Sequence, residues 1–275
     1  MKLPDGYLVD VYVHPRVGAK AKLPVVYLHG IQSHPGWFGG SAWHMASCGH
    51  EVWQVTRRGS GLNVADRGHA NSARQLIEDV EAVCLVASDH HGGSPVHLVG
   101  VSWGGKLAAC YAADVKRVSE LASLTLIAPG IVPKVGVGPV VKIAIGISLL
   151  CCPRHSFAIP LNDVRLFTEN ERMQEYLRSD HCRLRRATAR FLLASEVLGR
   201  QLAGQTAQID VPTTLILADQ DRIIDNARTE KLVRTIFAGR ITVVTLAGSH
   251  TLEFETDPSP LYDCLCSALE EFERG

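Results

Sequence analysis

The chain has 275 residues, 46% of them hydrophobic, enough to bury a substantial core in one domain with an insertion. Its 28 basic and 28 acidic side chains cancel, so the charge balance gives no footprint for a nucleic acid or another polyanionic partner. The 12 histidines and 8 cysteines contain no H-E-x-x-H or C-x-x-C spacing, so no metal is expected.

Met1 to Gly6 lacks the apolar core of a signal peptide, and the expected location is the cytoplasm. With no export signal the cysteines are expected to be reduced: Cys84 and Cys110 fall in apolar elements, while Cys151-Cys152 and Cys264-x-Cys266 are too close to bridge each other easily. Tyr7 to His14 alternates with a two-residue period and predicts an edge strand ending at Pro15. Leu23 to His29 is a continuous apolar run, the pattern of a strand covered on both faces. It leads into Gly30-Ile31-Gln32-Ser33-His34-Pro35-Gly36, a flexible loop past the end of a central strand. An oxyanion-hole amide would sit there, with Ile31 N–H as the candidate. Glu51 to Thr56 predicts the next strand, and Arg57 and Arg58 after it are expected to be solvated or structural. Residues 70–89 place Leu76, Val80, Val83, Cys84 and Ala87 at helical spacing.

His97 to Val101 is again a buried strand pattern, and Gly100-Val101-Ser102-Trp103-Gly104 follows it as a G-x-S-x-G turn. Glycines two residues either side of Ser102 leave room for a sharp turn that lifts Oγ above the sheet edge. Lys106 to Ala113 then predicts the helix such an elbow needs. Ser102 is the candidate nucleophile and Trp103 N–H the second oxyanion donor. Leu121 to Ala128 predicts a further strand, stopped by Pro129-Gly130. Strands alternating with helices at this spacing imply an α/β fold with a mostly parallel sheet and helices on both faces.

The rhythm changes over residues 131–207. Val135 to Cys152 is apolar, but Pro139 and Lys142 interrupt it before it reaches the roughly 20 residues that span a bilayer. Glu169 to Leu202 follows as a charged amphipathic stretch of at least two helices carrying Arg183, Arg185, Arg186 and Arg190. We read 131–207 as a helical lid, inserted into a core of residues 1–130 and 208–275. Val211 to Ala218 resumes the sheet and leads to Asp219, Asp221 and Asp225, any of which can be an acid or a helix cap. Arg240 to Leu246 is the last strand, leading to His250, and residues 258–273 close the chain as a helix.

Serine, acid and histidine therefore follow successive strands in the order that lets them meet at one sheet edge. His250 would take the Ser102 proton while a carboxylate holds the imidazole tautomer. The sequence resembles the α/β-hydrolase superfamily over nearly its whole length. It is most similar to the monoacylglycerol lipase, lysophospholipase and serine-aminopeptidase-fold branch. The matching residues are His29-Gly30-x-x-x-His34, the elbow with Gly105 after it, Asp221-Arg222-Ile223-Ile224, and Gly248-Ser249-His250-Thr251-Leu252-x-Phe254-Glu255. The resemblance selects Asp221 as the acid. It implies an ester hydrolase working through an acyl-enzyme on a monoacylglycerol- or lysophospholipid-type substrate, with no cofactor and with transient membrane-surface contact through the lid. The same scaffold also resembles carbon–carbon bond hydrolases, lactonases, peptidases and non-catalytic small-molecule receptors. This sequence departs from the branch at Ser33, often glutamate there; at Trp103, often methionine; and at Thr56, where an aspartate usually precedes the RGxG turn.

Overall fold

The structure, a computed structural model, describes residues 1–18, 21–114, 120–205 and 209–273. Seven strands form one sheet: β1 (Val11–His14), β2 (Val25–Leu28), β3 (Val52–Val55), β4 (Val96–Val101), β5 (Leu121–Ile127), β8 (Thr213–Ala218) and β9 (Ile241–Leu246). Their spatial order is β1-β3-β2-β4-β5-β8-β9. Only β1 runs antiparallel, pairing with β3 at the edge; every other pair is parallel. The continuous apolar runs are the strands buried on both faces, as in β2 and β4. The expected first strand shortens to its last four residues, with Leu8 held instead by a lone bridge to Lys2.

The helices of the core are α1 (Gly39–Ser47), α2 (Ala73–His90), α3 (Trp103–Ala112), α7 (Asn226–Ile236) and α8 (Ser259–Glu273). The apolar residues singled out in α2 are the ones it buries, and Ser72 caps it by accepting from Gln75 N–H. No local pattern announces α1: it opens on two glycines, which are poor helix formers, and its order comes from burying Ala42, Met45 and Ala46. Asp225 is the cap of α7, its Oδ1 accepting from Arg228 N–H at 3.0 Å.

Between β5 and β8 lie α4 (Pro139–Cys151), a two-stranded antiparallel ribbon of β6 (Ser156–Ala158) and β7 (Arg186–Thr188), α5 (Glu171–Ser179) and α6 (Ala189–Ala203). The 207/208 boundary assigned to this insertion lies outside the described residues. No helix among the described residues is long and apolar enough to cross a membrane. α4 buries none of its side chains, and Val140, Ile143, Ile147 and Leu150 are exposed along it.

One expectation is overturned. Cys48, just past α1, and Cys266 in α8 are joined in a disulfide, their Cα atoms 6.3 Å apart. The partners are 218 residues apart in sequence, so only the packing of α1 against α8 brings them together; the spacing of neighbouring cysteines carries no trace of it.

Candidate active site

Ser102 ends β4 and begins α3 with φ 54° and ψ −122°, a backbone conformation that side chains rarely adopt. Three bonds hold it there. Ser102 N–H donates to Ile127 O at 2.9 Å, Gly130 N–H donates to Ser102 O at 2.7 Å, and Lys106 N–H closes the first helical turn on Ser102 O at 3.2 Å. The elbow needs its glycines because the chain is pressed against its neighbours. A Cβ on Gly104 would lie 2.4 Å from the carbonyl oxygens of Leu28 and His29, and one on Gly100 would lie 2.6 Å from Gly104 O.

His250 Nε2 lies 2.8 Å from Ser102 Oγ, and His250 Nδ1 lies 2.7 Å from Asp221 Oδ2. The other carboxylate oxygen of Asp221 accepts from the backbone N–H groups of Ile223 and Ile224, at 2.7 and 2.9 Å. Those bonds hold one carboxylate oxygen and leave the other to the imidazole, so Nδ1–H donates to Asp221 and Nε2 is free to take a proton from the serine. The other two aspartates are employed elsewhere: Asp219 accepts from Gly248 N–H at 2.8 Å, and Asp225 caps α7.

Ile31 and Trp103 both line the cavity that reaches Ser102. Their backbone N–H groups have no acceptor among the described residues, and Trp103 opens α3, where the first amides of a helix lack intrahelical partners. A Cβ built on Gly30 would sit 3.3 Å from Ser102 Cβ, so the Ile31 loop is packed directly on the serine. This arrangement can hold an oxyanion beside Oγ.

The loop itself is held by residues to which the sequence gave no role at the site. His29 Nε2 accepts from Arg57 N–H at 3.1 Å, which leaves the ring proton on Nδ1 to donate to Gly30 O at 2.8 Å. Gly30 O and Ile31 N–H belong to the same peptide plane, so this bond turns the Ile31 amide the opposite way. Burial and the nearby Arg57 charge push the His29 pKa well below its usual range, which keeps the ring neutral.

Arg57, expected to be solvated or structural, is buried without a carboxylate partner. Its guanidinium lies 4.9 Å from the ring centroids of both Trp103 and Phe191, and Nη2 donates to Ile31 O at 2.9 Å. Burial brings its pKa down to about 9. It thus joins the elbow, the oxyanion loop and helix α6 through one planar cation, using stacking that an ammonium cannot reproduce. Arg58, by contrast, forms a bidentate pair with Asp79 and reaches Asp5. The inserted segment grips the same loop from outside: Arg183 Nε donates to Gln32 Oε1 at 2.8 Å and Leu184 N–H donates to Gln32 O at 2.9 Å.

His34, Asp180 and Cys182 place ligand atoms within 4.8 Å of one another. His34 Nδ1 accepts from Gly36 N–H at 3.1 Å, so Nε2 carries the proton and donates to Asp180 at 3.2 Å. Trp37 Nε1 donates to the same oxygen at 2.8 Å. A metal-bound histidine instead donates through its second nitrogen, so the trio reads as a hydrogen-bonded strap.

This sheet and elbow define an α/β-hydrolase fold, and the serine aminopeptidase (S33) family model matches residues 19–257, so the chain belongs to that family. It is similar in structure to the monoacylglycerol lipase of Paleococcus ferrophilus, with TM-score 0.81 and 17% identity over 96% of this chain and 99% of that one. A soluble variant of the monoglyceride lipase of Saccharomyces cerevisiae, in complex with a substrate analog, superposes with TM-score 0.84 and 17% identity over 97% of this chain and 95% of that one. A thermostable carboxyl esterase from Bacillus coagulans, in complex with glycerol, gives TM-score 0.76 and 14% identity over 99% of this chain and 97% of that one. No curated protein matches the sequence.

Two substitution sets test this geometry. Asp221→Asn should lower kcat by about 10⁴-fold, as loss of the tautomer-fixing carboxylate does. Asp225→Asn should be nearly silent, because asparagine caps a helix as well. A large loss at Asp219→Asn with Asp221→Asn active would reassign the acid. Arg57→Met should reduce kcat more than it changes KM, by less than the roughly 10²–10³-fold that loss of a whole oxyanion donor costs, and Arg57→Lys should not restore it. An Arg57→Met enzyme with native kcat would show that the stack does not position the loop.

Proposed function

We propose that the chain is a serine hydrolase of carboxylic esters, with Ser102, His250 and Asp221 as its triad and the amides of Ile31 and Trp103 as its oxyanion hole. The continuous hydrogen-bonded line from Asp221 through His250 to Ser102 carries this reading. Ser102 Oγ attacks the ester carbonyl as His250 Nε2 takes its proton, and the carbonyl oxygen becomes an oxyanion between the two amides. His250 returns the proton to the departing alcohol, leaving an acyl-enzyme. Water, deprotonated by the same imidazole, then releases the acid.

The finer proposal is that residues 131–207 act as a lid and that the substrate is a monoacylglycerol- or lysophospholipid-type ester. A cavity of about 470 Å³ opens at Ser102, within the range of small-molecule sites, and α4 and α6 supply its apolar wall through Ile145, Leu149, Leu192 and Leu193. The outward row Val140, Ile143, Ile147 and Leu150 follows helical spacing and is the face of α4 that would meet a lipid surface.

Esters of graded acyl length test the substrate class. Each buried methylene contributes about 0.8 kcal/mol, so kcat/KM should climb roughly fourfold per carbon until the cavity is full. A steady fall from acetyl esters upward would exclude an acyl site under the lid and favour a small ester or lactone.

A further inference from the structure

Lys106 is a buried cation that the proposed mechanism does not use. It lies on α3, four residues after Ser102, which at 1.5 Å per residue is about 6 Å along the helix axis. The residue as a whole is 8% exposed, yet it lines the same cavity as Ser102, Ile31 and Trp103. No hydrogen bond or ion pair engages its ammonium among the described residues, and burial lowers its pKa.

Glu196 acts on Lys106 through space but makes no hydrogen bond or ion pair with it among the described residues. Lys142 on α4 and Arg200 and Glu196 on α6 also line the cavity, and the single carboxylate among them is paired with Arg200 at 3.0 Å. Asp221 is held by His250 and two backbone amides. The Cys110 thiol, one turn beyond Lys106, is pushed up to about 12 by burial and stays neutral. The cavity wall therefore carries three cations against one engaged carboxylate, in a chain whose overall charge is balanced.

Resting on the ester-hydrolase reading above, we propose that Lys106 recognises an anionic group, carboxylate or phosphate, carried by the substrate a few bonds from the scissile ester. One helical turn separates the two residues, so the anion belongs near the carbonyl and not at the tip of a long acyl chain. An anion there gives the buried ammonium the partner it lacks and discriminates against neutral esters of the same length.

Calorimetric titration of Ser102→Ala with three probes, each carrying one ten-carbon acyl or alkyl group, tests this: 1-decanoylglycerol, 1-decanoylglycerol 3-phosphate and monodecyl succinate. At least one anionic probe should bind about tenfold or more tightly than the neutral ester, as a charge-assisted contact in a desolvated site would. Adding Lys106→Met should bring that ratio to about one, and Lys106→Arg should retain part of it. The phosphate and succinate arms separate the two anion chemistries. Equal binding of all three probes by Ser102→Ala, or a preference that survives Lys106→Met, overturns the assignment. If the unsubstituted enzyme cleaves none of the three while the anionic preference persists in Ser102→Ala, the ester-hydrolase reading fails and the anion site stands.

Discussion

Everything at the active site depends on a backbone constraint: Ser102 is held at positive φ, with its hydroxyl raised where β4 becomes α3. That conformation costs of order 1–3 kcal/mol and persists only because its surroundings determine it from several sides. The next strand, β5, accepts its amide through Ile127 O, Gly130 donates to its carbonyl, and the absent side chains at Gly100 and Gly104 let β2 and α3 close on the turn. The first free amide of α3 follows the hydroxyl as a consequence of the same turn, so the proposed nucleophile and one proposed oxyanion donor come from a single device.

The second proposed donor, the Ile31 amide, is made differently. Its peptide is oriented by a neutral histidine that is itself held by Arg57 N–H, and the Arg57 side chain reaches the same loop while resting against the rings of both Trp103 and Phe191. Phe191 belongs to α6 of the inserted segment, and Arg183 of that segment grips Gln32 next to Ile31. The inserted segment is thus mechanically tied to the oxyanion loop from two sides.

Much of this was legible in the sequence because it is local. The elbow announces itself by two glycines around a serine between a buried strand and a helix, and the acid and histidine each follow an apolar strand. The parallel sheet followed from strands alternating with helices, and its two-sided burial from unbroken runs such as Leu23 to His29. What the sequence concealed is non-local. The Cys48–Cys266 link depends on α1 lying against α8, and α1 itself, opening on Gly39-Gly40, has no propensity signal. Arg57 looked like an ordinary loop cation because its two aromatic partners lie far along the chain, and nothing local marks Lys106, which opens the predicted helix, as part of a helix buried all round. The choice of Asp221 over Asp219 and Asp225 came from resemblance. The structure gives each of the other two a different hydrogen-bond duty.

The central claim is that Ser102 becomes covalently acylated, and the most direct measurement is intact-protein mass spectrometry after reaction with an alkyl fluorophosphonate. The account predicts one adduct per chain, mapped to the peptide containing Ser102, and none on Ser102→Ala under the same conditions. Equal labelling of the alanine variant, or an unlabelled native protein that still hydrolyses esters, would contradict it.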